Sequence, residues 1–415
     1  MLSTIYEQGR ERYESLPLLG PVWNEFCGWL AGRGYPPKAI RRRIQAGYHL
    51  EARLQQRGVT AWCEITGEAL HGVVAPRPRR WTDQLIRALT KSLVEFLDEQ
   101  GRLARPAETP TDQRLANYRR YLVYVRGLAP ATVERHDWRI RDFLEFLNFD
   151  SSPSTLADVT INRIDEYITR EGCTLGRASM QKVCGILRSF LRFSSAAGSV
   201  TPGLDTQIDS PRCYRQERLP RALPWTSVRR LLDSVDRTNA KGRRDYAMLL
   251  LIATYGLRSG EIAALRLEDF IWRARQIRVP RPKIGSPLVL PLTDEVVVAL
   301  VDYFRNGRPP TSSCREAFLR GRVPGGPIKS YTVNDAFDFW AKRAGLELPE
   351  KGSGGPHCLR HSLAMHLLRT GASVKAIGEV LGHRNIESTS IYLRLHVEDL
   401  RSVALSLPGF TEVKQ

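Results

Sequence analysis

The sequence predicts a mainly α-helical protein with a small β-hairpin, built as helical units in tandem followed by a longer domain that contains the hairpin. Three observations support this fold class: long stretches with apolar residues at helical spacing, a helical pattern that occurs twice, and one segment that alternates as strands do. The chain has 415 residues, 42% hydrophobic and 26% charged, which is typical of a folded protein of several domains.

The second helical unit, residues 106–200, has the clearer pattern. Pro130 stands where a helix can begin, and Gly198 stands where one can end. Apolar residues at helical spacing predict three helices in this unit, over 114–127, 129–149 and 179–198.

The first unit, residues 1–105, resembles a copy of the second. The stretches 33–54 and 126–147 match at an offset of 93 residues, and in both an Arg-Gly pair is followed by a proline. Two shorter matches occur at an offset of 94 residues: 62–66 with 156–160, and 92–97 with 186–191. We therefore predict a duplicated helical unit; the alternative is a chance likeness between amphipathic helices.

A linker over 201–223, rich in proline and basic residues, separates these units from a domain over 224–395. That domain begins with helices, and alternation with proline and glycine at turns predicts strands within 275–292. Helices then return. The tail, 396–415, also has apolar residues at helical spacing and is predicted to form a helix.

Charge is the strongest signal in the composition. Lys and Arg number 62 against 44 Asp and Glu, a net charge of +18, which favours a polyanionic partner and above all nucleic acid. A basic solvated surface is the alternative. No apolar run approaches the roughly 20 residues of a membrane helix, so no membrane partner is expected. Seven scattered cysteines without a Cys-x-x-Cys pair argue against a disulfide framework or zinc site and favour the cytoplasm.

Separated stretches of the long domain carry groups suited to phosphate chemistry: Arg258, His357, Arg360, His383 and Tyr392. Two planar guanidiniums can hold the non-bridging oxygens of a phosphodiester, and a hydroxyl with a nearby proton acceptor can attack it. Arginines can supply the charge stabilisation without a metal ion. Alone, however, Tyr392 between Ile391 and Leu393 is more typical of a core residue.

These stretches resemble the tyrosine recombinase (phage integrase) family. "YGLRSGEIAALRLEDF" is similar to the first-arginine box of that family, and "HCLRHSLAMHLLRTGASVKAIGEVLGHRNIESTSIYLRL" over 357–395 is similar to its second box almost throughout. The likeness covers about 224–400. A looser likeness to the helical, SAM-like core-binding domain covers 110–200. The resemblance implies a DNA strand transferase that needs no metal ion, ATP or other cofactor.

The resemblance also implies a role for each matching residue. Tyr392 would attack the scissile phosphate and form a 3′-phosphotyrosyl link, while Arg258 and Arg360 hold the non-bridging oxygens. His357 would take part in proton transfer at the tyrosine oxygen, and His383 would hydrogen-bond to the phosphate.

Further residues follow from the same resemblance. Glu261 and His361 are expected to orient the residues that contact the phosphate. Lys283 would protonate the leaving 5′-oxygen, although "RPKIGSPLVLPL" lacks the second Lys and the Arg common in the family's hairpin. A turn residue or a phosphate contact is the alternative for Lys283, and Arg281 is its rival. The candidate DNA contacts are Arg77, Arg79, Arg80 and Arg281.

The implied partner is double-stranded DNA with specific recombination sites, bound by four protomers that exchange strands through a Holliday junction. The 396–415 tail would dock on a neighbouring protomer, with its own domain as the alternative, and Tyr392 would serve its own protomer's site. Accessory proteins or sister recombinases are possible partners. The expected role is integrase or transposase of a mobile element, located at the nucleoid. A type IB topoisomerase-like enzyme and a DNA-binding protein without catalysis are the alternatives.

Overall fold

The computed structural model describes residue 5 and residues 10–74, 80–103, 108–214, 221–281, 287–310, 314–347, 355–382 and 387–393. The described part is mainly helical with one three-stranded antiparallel sheet, which confirms the predicted fold class. The chain forms two compact units, Met1–Thr60 with His71–Gln100 and Arg218–Gln415, and Ala61–Leu70 with Gly101–Glu217. The domain limits predicted from the sequence divide the chain more finely and stay a prediction.

In the described part of the N-terminal hundred residues, the α-helices with defined bounds are α1 (Glu11–Glu14), α2 (Trp23–Gly32), α3 (Pro37–Gln56), α4 (Gly67–Gly72) and α5 (Trp81–Glu99). Helices α3 and α5 pack together in an antiparallel sense. Near one end Arg53 pairs with Asp83 at 2.5 Å, and near the other Arg43 donates to the Ser92 hydroxyl at 3.3 Å. These contacts hold the two longest helices of this region side by side.

The second unit contains α6 (Pro110–Arg120), α7 (Pro130–Phe146), α8 (Ile161–Gly172), α9 (Arg177–Ala196) and α10 (Leu204–Gln207). The three predicted helices are confirmed, but α6 begins earlier than predicted. Thr109 caps this helix. Its hydroxyl accepts a hydrogen bond from the backbone amide of Asp112 at 3.1 Å, and the Asp112 carboxylate accepts one from the backbone amide of Thr109 at 3.3 Å. The helix continues as a π-helical turn over Tyr121–Val125.

A polar network lies inside this unit. The Tyr118 hydroxyl is 2.9 Å from His136 Nδ1 and donates to the Ser189 hydroxyl at 3.0 Å, which joins α6, α7 and α9. All three residues are buried. Such groups stabilise a core only while each has a hydrogen-bond partner.

Local geometry repeats at the offset predicted from the sequence. Gly34 and Gly127 both take positive φ angles, 80° and 59°, ahead of a proline that begins the next helix. Thr66 and Thr160 are 94 residues apart, and each lies at the start of a helix. The hydroxyl of each accepts a hydrogen bond from the backbone amide three residues later in the chain. The likeness between the two segments therefore extends from sequence to turn and cap geometry.

The C-terminal region contains helices before, between and after the strands. These are α11 (Trp225–Asp233), α12 (Ala240–Tyr255), α13 (Ser259–Ala264), α14 (Asp294–Asn306), α15 (Ser330–Arg343), α16 (His357–Arg369), α17 (Val374–Leu381) and α18 (Glu387–Ser390). The sheet order is β1 (Phe270–Ile271), β2 (Gln276–Val279), β3 (Leu288–Pro291), with Ile277 opposite Leu290. This confirms the strands predicted within 275–292 and adds β1. A core around α12 supports the sheet, and a smaller apolar cluster joins α16 and α17 to Tyr392.

We expect the second unit to lose stability as the pH falls below 6.5, the ordinary pKa of histidine. Burial, with the charges of Arg126 and Arg135, lowers the pKa of His136, so the folded chain binds fewer protons there than the unfolded chain. The stability that neutral His136 contributes is present above pH 6.5 and is lost as the pH falls through the lowered pKa. Urea unfolding between about pH 5 and 8 measures this. His136→Gln should flatten the pH dependence and His71→Gln, at an exposed histidine, should not; an equal response contradicts the prediction.

Candidate active site

The first element of the site is the junction between α12 and α13. Gly256 ends α12 with φ at 65°, a left-handed conformation that favours glycine. Arg258 then precedes α13, and Glu261 accepts both its backbone amide and its Nη1 at 2.8 Å. The side chain of Arg258 is 43% exposed whereas that of Glu261 is 11% exposed. The junction therefore presents an oriented guanidinium to solvent.

Arg360 supplies a second guanidinium from the first turn of α16. It is buried, and it donates through Nη1 to the Gly256 carbonyl and through Nη2 to the Leu381 carbonyl at 2.7 Å. Burial, reinforced by the charge of Arg258, lowers the pKa of Arg360 to about 10. It still carries its charge at neutral pH. The backbone carbonyls orient it but do not neutralise it, so an anion is favoured nearby.

Tyr392 lies with its ring in the apolar cluster and its hydroxyl against a histidine. The residue is 2% exposed, and its hydroxyl is 2.9 Å from His361 Nδ1. Burial raises the pKa of the Tyr392 hydroxyl, while the charges of Arg360 and Arg258 act to lower it. The hydroxyl is therefore protonated at neutral pH and needs an acceptor before it can attack. Tyr392 is thus both a core residue and a hydroxyl that contacts a histidine and is acted on by two positive charges.

His357 and His361, one turn apart on α16, pack against each other beside this hydroxyl. The ring of His357 packs edge-on against that of His361, with centroids 4.6 Å apart. Burial of part of the ring, then the charges of Arg360 and Arg258, lower the pKa of His357. A neutral imidazole is able to accept a proton. The resemblance assigned the tyrosine oxygen to His357 and a supporting role to His361, but in the structure His361 contacts that oxygen.

Arg281 occupies a different environment from the one expected of a DNA contact. It is 8% exposed and follows β2, and its guanidinium donates to the carbonyls of Leu381 and Gly382 at 3.2 and 3.1 Å. Its Nε lies 3.6 Å from Glu261. The end of α17 leaves carbonyl groups without partners in the helix, and the guanidinium of Arg281 supplies donors to two of them. The buried side chain of Arg281 therefore links the segment after β2 to the end of α17.

The site therefore brings together Arg258, Glu261, His357, Arg360, His361 and Tyr392. Arg80 lies elsewhere and is exposed, at the start of α5 beside Trp81, which is 61% exposed. Four predicted residues, Lys283, His383, Arg77 and Arg79, lie outside the described residues, as does the 396–415 tail. Sequence reasoning missed the carbonyls of Gly256 and Leu381; the glycines at 256 and 382 were the available signal, because both end helices.

Comparison with known proteins decides the family. The model of the phage integrase family matches residues 222–399. A candidate integrase/recombinase, y4rA of Sinorhizobium fredii, is 33% identical over 92% of this chain and 93% of its own length. The chain belongs to the phage integrase family of tyrosine recombinases. A tyrosine recombinase of Pseudothermotoga lettingae is 30% identical over 69% of this chain and 94% of its own length.

Solved structures agree on the fold of this integrase-family chain. The XerH site-specific recombinase, solved on its difH substrate, matches with a TM-score of 0.54 and 16% identity over 72% of this chain and 98% of its own. A lambda integrase dimer on a core site matches with a TM-score of 0.52 and 18% identity over 72% and 98%. In the part of the chain that the structure describes, no helix is suited to cross a membrane and no three acidic, histidine or cysteine side chains cluster as metal ligands.

We expect Gly256→Ala to destabilise the chain more than Gly345→Ala. Both glycines have φ near 60°, which costs about 1 to 2 kcal/mol for alanine. A methyl group at Gly256 would also lie 2.4 Å from Leu381 Cδ2 and 3.3 Å from Arg360 Cγ, whereas one at Gly345 would meet nothing within 4 Å. The crowding should add about 1 to 3 kcal/mol to the loss at Gly256. Urea unfolding measures both losses, and equal values would count against a packed junction.

Proposed function

We propose that this chain is a site-specific DNA recombinase that cleaves and rejoins strands through a 3′-phosphotyrosyl intermediate. The observation that supports this best is the contact of the tyrosine hydroxyl with His361, in a site where the charges of Arg258 and Arg360 act to lower the pKa of that hydroxyl. A nucleophile, a proton acceptor and an anion site thus converge. Membership of the family and the net charge of +18 agree with DNA as the substrate.

The two arginines are proposed to bind the scissile phosphate. Charge builds on the non-bridging oxygens as the tyrosine adds, so fixed guanidiniums stabilise the transition state more than the ground state. Arg360 is already held by two carbonyls and Arg258 by Glu261, so little reorganisation is needed on binding. This electrostatic contribution is the basis for proposing a reaction without a metal ion or ATP.

The proton transfers follow from the bonds that form and break. The Tyr392 oxygen bonds to phosphorus, the bond from phosphorus to the 5′-oxygen breaks, and the tyrosine proton passes toward the two histidines. His361 is the acceptor in contact, with His357 packed against it. Lys283 is proposed to protonate the leaving 5′-oxygen and His383 to hydrogen-bond to the phosphate. A 5′-hydroxyl from a second duplex then attacks the phosphotyrosine and reseals the strand.

We also propose how the protomers assemble on DNA and what biological role the reaction serves. Four protomers would act on two duplexes through a Holliday junction, with the 396–415 tail on a neighbouring protomer and Tyr392 acting in its own protomer's site. The bundles over 1–105 and 106–200 would both contact DNA. Integration or transposition of a mobile element at the nucleoid is the proposed role; a type IB topoisomerase-like activity would use the same residues without pairing two sites.

A covalent adduct tests this function. We expect the chain to form one with members of a library of nicked duplexes whose core is randomised, because the nick lets the 5′-hydroxyl fragment leave. Tyr392→Phe should reduce the adduct to below about a thousandth, since it removes the nucleophile. Tyr303→Phe, at another buried tyrosine of the same region, should leave it intact. No adduct from the unaltered chain would refute both strand-transfer functions, and a joined two-site product separates recombinase from topoisomerase.

The geometry at the hydroxyl predicts unequal roles for the two histidines. We expect His361→Ala to slow cleavage about tenfold to a hundredfold, and more than His357→Ala does, because His361 contacts the oxygen that must lose its proton. Single-turnover cleavage of a duplex selected from the library measures both rates. A larger loss in His357→Ala would instead support the assignment drawn from the family resemblance.

A further inference from the structure

Arg281 is a buried cation that joins two parts of the chain distant in sequence. It lies just beyond β2, and its two terminal nitrogens bond to Leu381 and Gly382, where α17 ends. Its Nε faces Glu261, the carboxylate that also holds Arg258. Burial lowers the pKa of Arg281, and Glu261 opposes that shift. A cation is retained in such a position only when the surrounding acceptors are well arranged.

Gly382 is shaped to receive this guanidinium. Its φ is 59°, and a methyl group on it would lie 1.3 Å from Arg281 Nη1. The backbone at the end of α17 therefore approaches the guanidinium more closely than any other residue type would allow. Leu381 adds a second link, because its carbonyl accepts from Arg281 Nη2 at 3.2 Å and from Arg360 Nη2 at 2.7 Å.

We propose that Arg281 is a positioning residue that aligns Lys283, the proposed general acid of the reaction. Lys283 follows Arg281 by two residues. The bonds of Arg281 to Leu381 and its approach to Glu261 thus fix where the segment that carries Lys283 begins, relative to Arg360 and Arg258. The inference rests on the proposed function, and it explains why an arginine two residues before Lys283 is turned inward instead of toward DNA.

A DNA substrate with sulfur in place of the leaving 5′-oxygen distinguishes this positioning role from a general structural role. A thiolate leaves without a proton, so a 5′-phosphorothiolate at the scissile phosphate bypasses the general acid. We expect Arg281→Met to slow cleavage of the normal duplex at least about tenfold and to regain most of that loss on the sulfur-containing duplex. On the normal duplex, the cleavage rate of Arg281→Lys should lie between that of Arg281→Met and that of the unaltered chain. An ammonium group keeps the charge but cannot reproduce the planar arrangement of donors in a guanidinium.

Arg244→Met is the matched control. Arg244 is also 8% exposed, pairs with Asp245 at 2.7 Å and donates to the Leu319 carbonyl at 3.2 Å, with no described link to the site. Any loss it causes should be the same on both duplexes. Melting temperatures show whether the variants fold; where Arg281→Met does not, Arg281→Lys carries the same comparison between duplexes.

The outcomes are distinct. Sulfur rescue of Arg281→Met, but not of Arg244→Met, supports the positioning role. An equal loss for Arg281→Met on both duplexes overturns it. Lys283→Met provides the reference, since rescue of that variant shows that Lys283 is the proton donor. Failure of the proposed function is separate, because the unaltered chain would then form no adduct with either duplex.

Discussion

Glu261 is the constraint on which the site depends. It accepts from Arg258 in two places and lies 3.6 Å from Arg281, and its charge also acts on Arg360. One carboxylate thus orients a group of guanidiniums that it cannot neutralise. Carbonyl groups hold the remaining guanidiniums without neutralising their charge. Such a site favours an anion, and a phosphodiester is one.

Two glycines allow this charge to be concentrated. Gly256 lets α12 end beside Leu381 and Arg360, and Gly382 lets α17 end against Arg281. In each case the positive φ and the missing side chain serve the same purpose, since a carbonyl is brought to a guanidinium at close range. Helix termini leave carbonyls unpaired, so the arginines stabilise the fold while the fold orients the arginines.

Much of this was predictable from the sequence, for identifiable reasons. Apolar periodicity predicted the helices of the second unit, and alternation predicted β2 and β3, because those signals are local. Helix starts were less accurate: the capping box at Thr109 extends α6 ahead of its predicted start. The two-residue strand β1 was missed, since pairing with β2 and not its own pattern defines it.

The same difference between local signals and contacts with distant segments applies to the site. Its residues were indicated by the likeness of two stretches to the boxes of the family, but the contacts between elements join residues 21 to 104 positions apart. The inward turn of Arg281 depends on Gly382, and the bond between His361 and Tyr392 depends on how the 387–393 segment packs. No local pattern encodes either contact.

The burial of Tyr392 bears on the proposed reaction. The residue is 2% exposed and its hydroxyl contacts His361, so the proposed attack on phosphorus would require a movement of the segment that carries it. That segment is short, and Thr389 anchors it close to α17, with its hydroxyl 3.1 Å from where a side chain on Gly378 would begin. Arg258 and Arg360, whose charges already act to lower the pKa of Tyr392, would stabilise the tyrosinate that forms in the proposed reaction. The arginines proposed to bind the phosphate thus also act on the proposed nucleophile, while burial keeps the Tyr392 hydroxyl protonated in this structure.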